Sequence, residues 1–428
     1  MDTPESGPPK GYGPMARREM RLAYGLLAPT FLIVLAIVLG PLLANFWISV
    51  KPVQLGDLRA PSLVVSERLR GELAAPGDRA TLEYRVRNSS RDRGVANARF
   101  VDTLPAGLTP VELPEQCSVE GETISCDLGD LEGAYRDRLP VTFEATAAYL
   151  SDPVSPRDSR PTTFGRGENV LTNAEFTSEN FTRIFSSDEF WHVLRVSLYY
   201  TVFGTAGALV LGLFAAQLLN TTFTGRNLLR GLFLFPYVAP VIAVAFTWVV
   251  LLDPLSGTLN AILQQMGLIA EPINFFGLRS VPMGLFGLSF DFPVALTTVI
   301  AFEAWRYFPL SFLFILARMQ SIPSDMFEAA EIDGATPFQQ FWYLGLPQLM
   351  GILAVLFLLR FIWTFNKFDD IFLLTGGAAG TRTLTVDVYE QAFGISNLGA
   401  GAAVAVVVFI VLLTFSLIFF TLAPKDEA

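Results

Sequence analysis

Residues 328–347, EAAEIDGATPFQQFWYLGLP, form a polar-to-amphipathic stretch between two strongly apolar runs. The Pro-Ser-Asp sequence at 323–325 predicts a helix start, and Gly334 suits the left-handed residue that ends a helix. Thr336, with Gln339 three residues later, predicts that a second, capped helix begins at once. We therefore predict two short helices that meet at a turn near Gly334, in a segment suited to docking rather than catalysis.

The composition of the whole chain gives this segment its context. Apolar residues make up 52% of the 428 residues and charged residues only 16%, which predicts an α-helical polytopic membrane protein. Six runs are long enough to cross a bilayer, at about 24–49, 194–219, 231–252, 294–317, 348–371 and 401–422. We expect six transmembrane helices in contact with membrane lipid. The net charge of −10, without an extended basic stripe, argues against nucleic acid as a partner.

The distribution of cations predicts the topology. Cations precede the first run and follow the second, whereas the 253–293 loop carries Arg279 alone; the flanking cations are Lys10, Arg17, Arg18, Arg21, Arg226 and Arg230. By the positive-inside rule both termini are cytoplasmic. We expect a tail at 1–23, a retained first helix at 24–50, an external insert at 51–190, a membrane core at 191–422 with a cytoplasmic loop at 318–347, and a tail at 423–428.

The polar insert at 51–190 predicts a separate domain. Short runs at 80–86, 96–101 and 139–145, bounded by turn residues, favour a β-sandwich, and the Pro-rich stretch at 151–170 is typical of a linker. The insert holds 16 Lys and Arg against 23 Asp and Glu. Such an acidic surface keeps an external domain soluble and can meet a basic partner.

The chain's two cysteines, Cys117 and Cys126, both lie in the insert. An oxidising compartment favours a disulfide, and two reduced, buried thiols are the alternative. Two thiolates rarely complete a zinc site, and the single histidine, His192, is distant in sequence, so no metal is expected. No phosphate-cradling GxxxxGK[ST] loop is present. We therefore predict no catalytic residue and no cofactor, and we do not expect this chain itself to hydrolyse ATP.

Ionisable residues inside apolar runs are candidates for function because they are expensive to bury in a membrane. Glu303 and Arg306 lie at i and i+3 in the fourth run, where they could neutralise each other, and Arg360 lies in the fifth. Aromatic faces such as Trp305 and Phe365 beside amides and carboxylates suit a sugar. Packing aromatics and structural ion pairs are the alternative interpretation. The following Lys367, Asp369 and Asp370 could simply mark the water interface.

The docking segment resembles a known motif. Its residues match the EAA loop of bacterial ABC importer permeases in order and spacing at Glu328, Ala329, Ala330, Gly334, Leu346 and Pro347. The segments FNKFDDIFLLTGG at 365–377 and PYVAPVIAVAFTW at 236–248 resemble the carbohydrate-uptake branch of that family. Ala378 and Ala379 depart from that branch, which often has Gly or Pro there. Residues 76–111 and the cysteines resemble an immunoglobulin-like repeat of bacterial surface proteins.

The resemblance implies function and partners. ATPase subunits would grip the 318–347 loop through Glu328, Ala329, Ala330, Asp333, Gly334, Phe338, Phe341, Leu346 and Pro347. Maltose-type permeases imply that Asn366, Tyr307 and Leu310 face a sugar cavity that opens by alternating access. A second homologous permease and an extracytoplasmic substrate-binding protein are expected as further partners. The external insert stands where maltose-type permeases have a domain that contacts that binding protein; a solvated spacer or cell-wall contact is the alternative.

Two other function classes remain at this stage. An importer of the same architecture for a glycerol phosphate would use Arg306, Arg360 and Lys367 as anion partners. A membrane-anchored adhesion or sensor protein would use the external insert, but that class gives no reason for an EAA-like loop.

Overall fold

The computed structural model describes residues 14–156, 159–285 and 288–422. The predicted C-terminal tail and the first thirteen residues of the predicted N-terminal tail lie outside the described residues. The helices are α1 (Pro14–Val34), α2 (Gly40–Ser49), α3 (Ala147–Ser151), α4 (Glu179–Phe185), α5 (Asp188–Asn220), α6 (Arg226–Phe233), α7 (Phe235–Val238), α8 (Val241–Leu251), α9 (Thr258–Gln265), α10 (Val294–Gln320), α11 (Ser324–Ile332), α12 (Pro337–Gln340), α13 (Leu346–Phe365), α14 (Asp369–Leu374), α15 (Leu384–Tyr389) and α16 (Leu398–Leu422). The strands are β1 (Leu63–Arg70), β2 (Arg79–Asn88), β3 (Val95–Thr103), β4 (Leu108–Glu112), β5 (Cys117–Glu120), β6 (Thr123–Leu131), β7 (Arg136–Ala145), β8 (Thr162–Arg166), β9 (Val281–Leu285) and β10 (Leu288–Phe292).

The chain divides into two compact units. One contains Phe181–Gln391 with the segments up to Ser49 and from Ala400 onwards, and we call it the helical unit. The other contains Val50–Asn180 with Ala392–Gly399, and we call it the sheet unit. The sheet unit falls almost wholly within the polar insert, because a segment with alternating short runs and many turn residues cannot sustain long apolar helices.

Two four-stranded antiparallel sheets make up the sheet unit. Their strand orders are β1-β2-β7-β4 and β5-β6-β3-β8. Alternate residues of β2, including Leu82, Tyr84 and Val86, are buried, and they share one hydrophobic cluster with Phe100 of the second sheet. Tyr84 also donates a hydrogen bond of 2.7 Å from its hydroxyl to Asp102. Burial and this carboxylate together raise the pKa of Tyr84 well above its usual range.

The cysteines and the expected linker have defined places in the sheet unit. Cys117 of β5 lies opposite Cys126 of β6, and a disulfide joins them. The stretch predicted as a linker at 151–170 is only partly one, because Thr162–Arg166 forms β8 and pairs with β3. That strand carries no alternation of buried and exposed side chains, since all five are exposed. The sequence therefore lacked the usual signal for it.

Five helices of the helical unit are long and apolar enough to span a membrane within the described residues. They are Arg18–Ser49, Asp188–Asn220, Val294–Gln320, Pro337–Phe365 and Leu398–Leu422. A sixth span exists only if the pair Arg226–Val238 and Val241–Leu251, bent by 93°, counts as one. The first of these five spans contacts the last, because the Phe46 ring packs edge-on against the Phe409 ring with 5.6 Å between the ring centroids.

Two predicted runs are not continuous helices. The run at 231–252 breaks between α7 and α8, because Pro240 has no backbone N–H and pushes Ala239 into an extended conformation. The run at 348–371 ends as a helix at Phe365, and α14 begins after a short break at residues 366–368. Apolar composition predicted the presence of both segments but not where their backbones turn.

Helices α5 and α10 form the most extensive helix pair of the chain. Small residues on α5 permit this, and Gly212 is the clearest case. A Cβ atom there would lie 2.7 Å from the Ser311 Cβ and 2.8 Å from the Phe312 backbone nitrogen. Both neighbours are fully buried and cannot move aside easily.

Gly212→Ala is therefore expected to destabilise the protein, although alanine normally stabilises a helix. Overpacking of this contact should cost about 1–3 kcal/mol. Gly231→Ala is the matched control, because its Cβ would meet no atom within 4 Å in another helical segment. Thermal unfolding in detergent should rank Gly212→Ala below the control. Equal or higher stability for Gly212→Ala would show that α5 and α10 are packed less closely.

Candidate coupling segment and buried polar site

The segment between α10 and α13 forms the two short helices that the sequence predicts. Helix α11 ends in a Schellman motif, in which Ala335 donates to the Ala330 carbonyl at 2.9 Å and Gly334 to Glu331 at 3.0 Å. Gly334 has φ +80°, the left-handed conformation that favours glycine. The N-terminus differs from the prediction, because neither Ser324 nor Asp325 caps the helix and Pro323 occupies the cap position.

Helix α12 begins with the predicted capping box. The Thr336 hydroxyl accepts from the Gln339 backbone at 3.4 Å, and the Gln339 side chain accepts from the Thr336 backbone at 2.8 Å. Pro337 stands in the first turn, where its missing N–H costs nothing. Leu346 and Pro347 then begin α13. The segment 318–347 is thus held by its own hydrogen bonds at the ends of two long helices, and we call it the coupling segment.

The aromatic residues of the coupling segment point in two directions. Phe338 is 69% exposed and Tyr343 77% exposed, and Glu328, Ala329 and Asp333 are exposed as well. In contrast, Phe327 and Phe341 are half-buried. They line a cavity of about 240 Å³ together with Gln217 and Asn220 at the end of α5. The outer face is free to bind a partner, whereas Phe341 lies against the rest of the helical unit.

A network of buried polar side chains lies in the spanning helices. Glu303 of α10 is fully buried, and one of its carboxylate oxygens accepts from Arg360 at 2.5 Å and from Thr364 at 2.9 Å. The other oxygen accepts from the Tyr200 hydroxyl at 2.9 Å. The suggested neutralisation of Glu303 by Arg306 is therefore wrong. The packing of α13 against α5 and α10 brings Arg360 to Glu303 instead, so one carboxylate joins three helices.

Arg306 has a different role. Its guanidinium donates to the carbonyls of Pro236 at 3.4 Å and Ala239 at 3.2 Å. The Pro236 carbonyl would normally bond to the backbone N–H four residues on, and that residue is Pro240, which has none. Arg306 thus satisfies a carbonyl that the helix break leaves open. Such compensation is what permits a broken helix at membrane depth.

Three cations surround the Tyr307 ring. Lys367 lies 4.2 Å, Arg360 4.4 Å and Arg306 5.5 Å from the ring centroid. The Lys367 ammonium also donates to the Tyr307 hydroxyl at 2.6 Å. Tyr307 is itself buried, so this group of charges is shielded from water on the tyrosine side.

Asp370 is the last member of this network. The sequence suggested that it could mark the water interface, but the structure buries it. Asp370 is 0% exposed. Its Oδ1 lies 3.9 Å from the Arg306 Nε, and its Oδ2 lies 3.9 Å from the Lys367 Nζ. The chain turns back at residues 366–368, and this carries α14 into the protein rather than out into water. We call the whole set the buried polar site; its members are Tyr200, Glu303, Arg306, Tyr307, Arg360, Thr364, Lys367 and Asp370.

The other predicted sugar contacts are not brought together. Asn366 is exposed and lines a cavity of about 370 Å³ with Phe368 and residues of α15 and α16. Tyr307 and Leu310 are not among the residues that line that cavity. Phe365 is buried in the hydrophobic core and stacks on Phe361, and Trp305 packs on Trp248 at 5.4 Å.

Sequence reasoning identified only part of the buried polar site. The cost of charge in a membrane identified Glu303, Arg306 and Arg360. Thr364 lies four residues after Arg360 on α13, a spacing that could have suggested it. Tyr200 offered no signal, since a tyrosine in an apolar run is usually a packing residue. Across the described ranges no group of three or more His, Cys, Asp or Glu side chains is placed to hold a metal ion.

These features identify a class of membrane transport component, and sequence comparison gives the family. Residues 208–425 match the profile described as "Binding-protein-dependent transport system inner membrane component". The chain belongs to this family; it is a permease subunit of an ABC transport system and not an enzyme. The Val50–Asn180 part of the sheet unit lies outside the matched residues, whereas Ala392–Gly399 lies within them.

Individual relatives agree with this class. The chain is 36% identical over 234 residues to the inner membrane ABC transporter permease protein YcjO of Escherichia coli, covering 54% of this chain and 74% of that protein. It is 32% identical over 241 residues to the trehalose/maltose transport system permease protein MalF of Thermococcus litoralis, covering 56% and 77%. Among solved structures, a bacterial ABC transporter for import of the acidic polysaccharide alginate shares the fold, with a TM-score of 0.53 and 19% identity over 60% of this chain and 87% of that one.

Proposed function

We propose that this chain conducts a sugar or oligosaccharide, of the trehalose or maltose type, across the cytoplasmic membrane in an ATP-driven importer. The observation that carries this proposal is the coupling segment. Its two short helices are fixed by internal caps, and its outer face exposes Glu328, Phe338 and Tyr343 at the ends of two spanning helices. The relative named for trehalose and maltose transport supports the sugar class.

The proposed partner of the coupling segment is an ABC ATPase subunit. Exposed aromatics next to an acidic residue suit a cleft on a soluble partner, because interface anchors are typically aromatic. A second homologous permease would complete the pathway, and an extracytoplasmic substrate-binding protein would deliver the sugar. The family description, a binding-protein-dependent transport system, supports that last partner.

The proposed topology counts the bent pair α6–α7 and α8 as one span, which gives six. Both termini are then cytoplasmic, as the flanking cations favour. The sheet unit is external, and its two sheets around one hydrophobic core support a β-sandwich of immunoglobulin-like type. The proposed insert is 51–190 and the proposed membrane core 191–422, except that residues 181–190 go with the helical unit and Ala392–Gly399 with the sheet unit.

The way in which the buried polar site is attached supports the proposal of alternating access. Glu303 lies on α10, which ends just before the coupling segment, and Arg360 lies on α13, which begins just after it. An ATPase that moves the coupling segment therefore moves both helices of this ion pair. ATP binding and hydrolysis would bias two arrangements of the spans around a site at membrane depth. Asn366 and its cavity are the proposed first contacts for sugar.

Import of a glycerol phosphate is the less favoured alternative, because two of the three cations that would bind the phosphate already bond to groups within the protein. Arg360 is neutralised by Glu303, and Arg306 bonds to backbone carbonyls. Of the three, Lys367 retains partial exposure, at 15% of its side chain. A single partly buried ammonium offers less than the bidentate guanidinium contacts that phosphate groups typically use.

Purification from the native membrane in mild detergent tests the proposal. The tagged chain should bring with it an ATPase and a second multi-span protein. Reconstituted with the recovered binding protein, the assembly should take up labelled trehalose or maltose with ATP but not with a non-hydrolysable analogue. Excess glycerol phosphate should not compete. Isolation of the chain alone from several detergents would contradict the proposal and favour an adhesion or sensor role for the sheet unit.

A further inference from the structure

One face of the sheet unit concentrates positive charge. On β2 and β7, Arg85 lies directly opposite Arg138, and Arg87 directly opposite Arg136. The alternate residues of β2, such as Tyr84 and Val86, point into the hydrophobic core, so the arginines project from the outer face of the sheet. We call Arg85, Arg87, Arg136 and Arg138 the arginine face.

The arginine face is unusual for its surroundings. Residues 51–190 carry a net charge of −7, from 16 Lys and Arg against 23 Asp and Glu. Yet like charges stand directly across two neighbouring strands, an arrangement that destabilises a sheet. The exposed surface of this unit has many acidic residues that could have separated them. The repulsion would be relieved by an anion that bridges the strands.

Three of the four guanidinium groups make no hydrogen bond or ion pair within the described residues, although Arg138 also attracts the Glu83 carboxylate at longer range. Arg85 pairs with Glu83 at 2.7 Å, and that hydrogen bond holds the pKa of Glu83 below its usual range. Glu83 is already shared with Arg70 at 2.8 Å. Within the described residues, the side chains of Arg87, Arg136 and Arg138 make no ion pair or hydrogen bond. Their donors therefore remain available to a ligand.

These side chains line a shallow cavity of about 530 Å³. Ser66 of β1 contributes a hydroxyl, and Asp137 is the one carboxylate among the lining residues. Asp137 is already occupied, because it accepts from the Arg138 backbone at 2.7 Å and from the Tyr135 hydroxyl at 3.2 Å. The cavity thus offers several neighbouring guanidinium groups, whose planar forks suit bidentate binding of carboxylate or phosphate groups.

We infer that the arginine face binds a linear polyanion of the cell envelope, a polymer with repeated carboxylate or phosphate groups. The inference rests on the proposed external position of the sheet unit. The Cα atoms of neighbouring arginines are about 5 Å apart across the two strands and about 7 Å apart along each strand. A chain with regularly repeated anions can contact several at once, whereas a single small anion would use only one pair.

The chemistry of the face argues against two other occupants. None of the cavity-lining residues is aromatic, whereas protein interfaces typically have aromatic anchors. A lipid surface is typically bound by apolar side chains inserted beside the cations, and Val86 is the one apolar lining residue and is buried. Charge alone, arranged in rows, is what a flexible polyelectrolyte requires.

The test uses the full-length protein in nanodiscs of zwitterionic lipid. Polygalacturonate and linear polyphosphate are the carboxylate and phosphate probes, and neutral dextran is the blank. The variant Arg87→Gln, Arg136→Gln, Arg138→Gln removes three charges from the face. The control Arg59→Gln, Arg91→Gln, Arg160→Gln removes three exposed charges elsewhere in the same unit. The control should keep the thermal midpoint of the wild type, because its three side chains lie at the surface. The face variant should match or exceed that midpoint, because it also relieves like-charge repulsion across the strands.

Wild type and control should bind at least one polymer, with affinity that falls as salt rises. The face variant should bind about tenfold more weakly and with a smaller salt dependence. The preferred polymer tells whether carboxylate or phosphate is the ligand. Equal loss in both variants, or no binding of either polymer at low salt, would overturn the inference. Loss of binding to acidic vesicles or to the substrate-binding protein, with no polymer binding, would overturn it in favour of those partners.

ATP-driven sugar uptake by the same variants separates this inference from the proposed function. None of the substituted arginines belongs to the coupling segment or to the buried polar site, so uptake should be unchanged in both variants. Uptake without polymer binding refutes only the arginine face. Polymer binding by a chain that shows no uptake refutes only the importer.

Discussion

Gly334→Asp is expected to abolish ATP-driven sugar uptake while leaving the protein folded and inserted in the membrane. Gly334 has φ +80°, which aspartate tolerates better than most residues. Its Cβ would meet no atom within 4 Å, so the change adds bulk and charge only on the outer face of the coupling segment. Each 1.4 kcal/mol lost at the ATPase contact weakens binding about tenfold. We expect uptake in proteoliposomes to fall by more than about tenfold on this basis.

The matched control is Gly267→Asp. Gly267 also has positive φ and open space around its Cβ, but it follows α9, far from the coupling segment in sequence. Both variants should have similar thermal midpoints, and only Gly334→Asp should lose ATPase co-purification. Normal uptake by Gly334→Asp would refute the coupling proposal. Equal loss of uptake in both variants would indicate strain from the substitution itself.

Arg360→Met is expected to have the largest effect on stability. It leaves the fully buried Glu303 carboxylate without its cation, and among the described residues Tyr200 and Thr364 are its remaining hydrogen-bond donors. Breaking a buried ion pair by removal of one partner typically costs about 3–5 kcal/mol. Thermal unfolding in detergent should show a strongly lowered midpoint or no folded protein. Arg195→Met, an exposed arginine of α5, should change stability by less than about 0.5 kcal/mol.

The double variant Glu303→Gln, Arg360→Met makes this prediction specific to the ion pair. It removes both charges and keeps side chains of similar volume, an exchange that is often neutral. The double variant should therefore be more stable than Arg360→Met alone. Additive losses would mean that Arg360 stabilises the unit through packing, and that its contact with Glu303 contributes little.

The sequence predicted the coupling segment well because its conformation depends on local chemistry. A glycine in the left-handed region, a Thr–Gln capping box and a proline at the helix start each act within a few residues. The same reasoning failed for β8, whose side chains are all exposed. Its strand pairing with β3 depends on residues about 60 positions away.

The apolar runs show the same contrast between local features, which the sequence predicts, and long-range contacts, which it does not. Apolar composition located the five spanning helices and the bent pair, and the cost of burying charge identified Glu303, Arg306 and Arg360 as candidates. It could not assign their partners, because i, i+3 spacing made Arg306 as reasonable as Arg360. Only the packing of α5, α10 and α13 brings Arg360 and Tyr200 to Glu303. Asp370 likewise became buried because the chain turns back after α13.

The sequence by itself determined that this chain is a membrane protein with several spans and a capped coupling segment, since hydrophobic length and local capping need no distant contact. The permease class came from the resemblance of its motifs to ABC importer permeases. The tertiary structure decided which charges pair, where the apolar run at 231–252 bends, and that four arginines meet on one face of a sheet. Those outcomes depend on strand register and helix packing. Both bring together residues from distant parts of the chain, and residue spacing within one segment cannot encode such contacts.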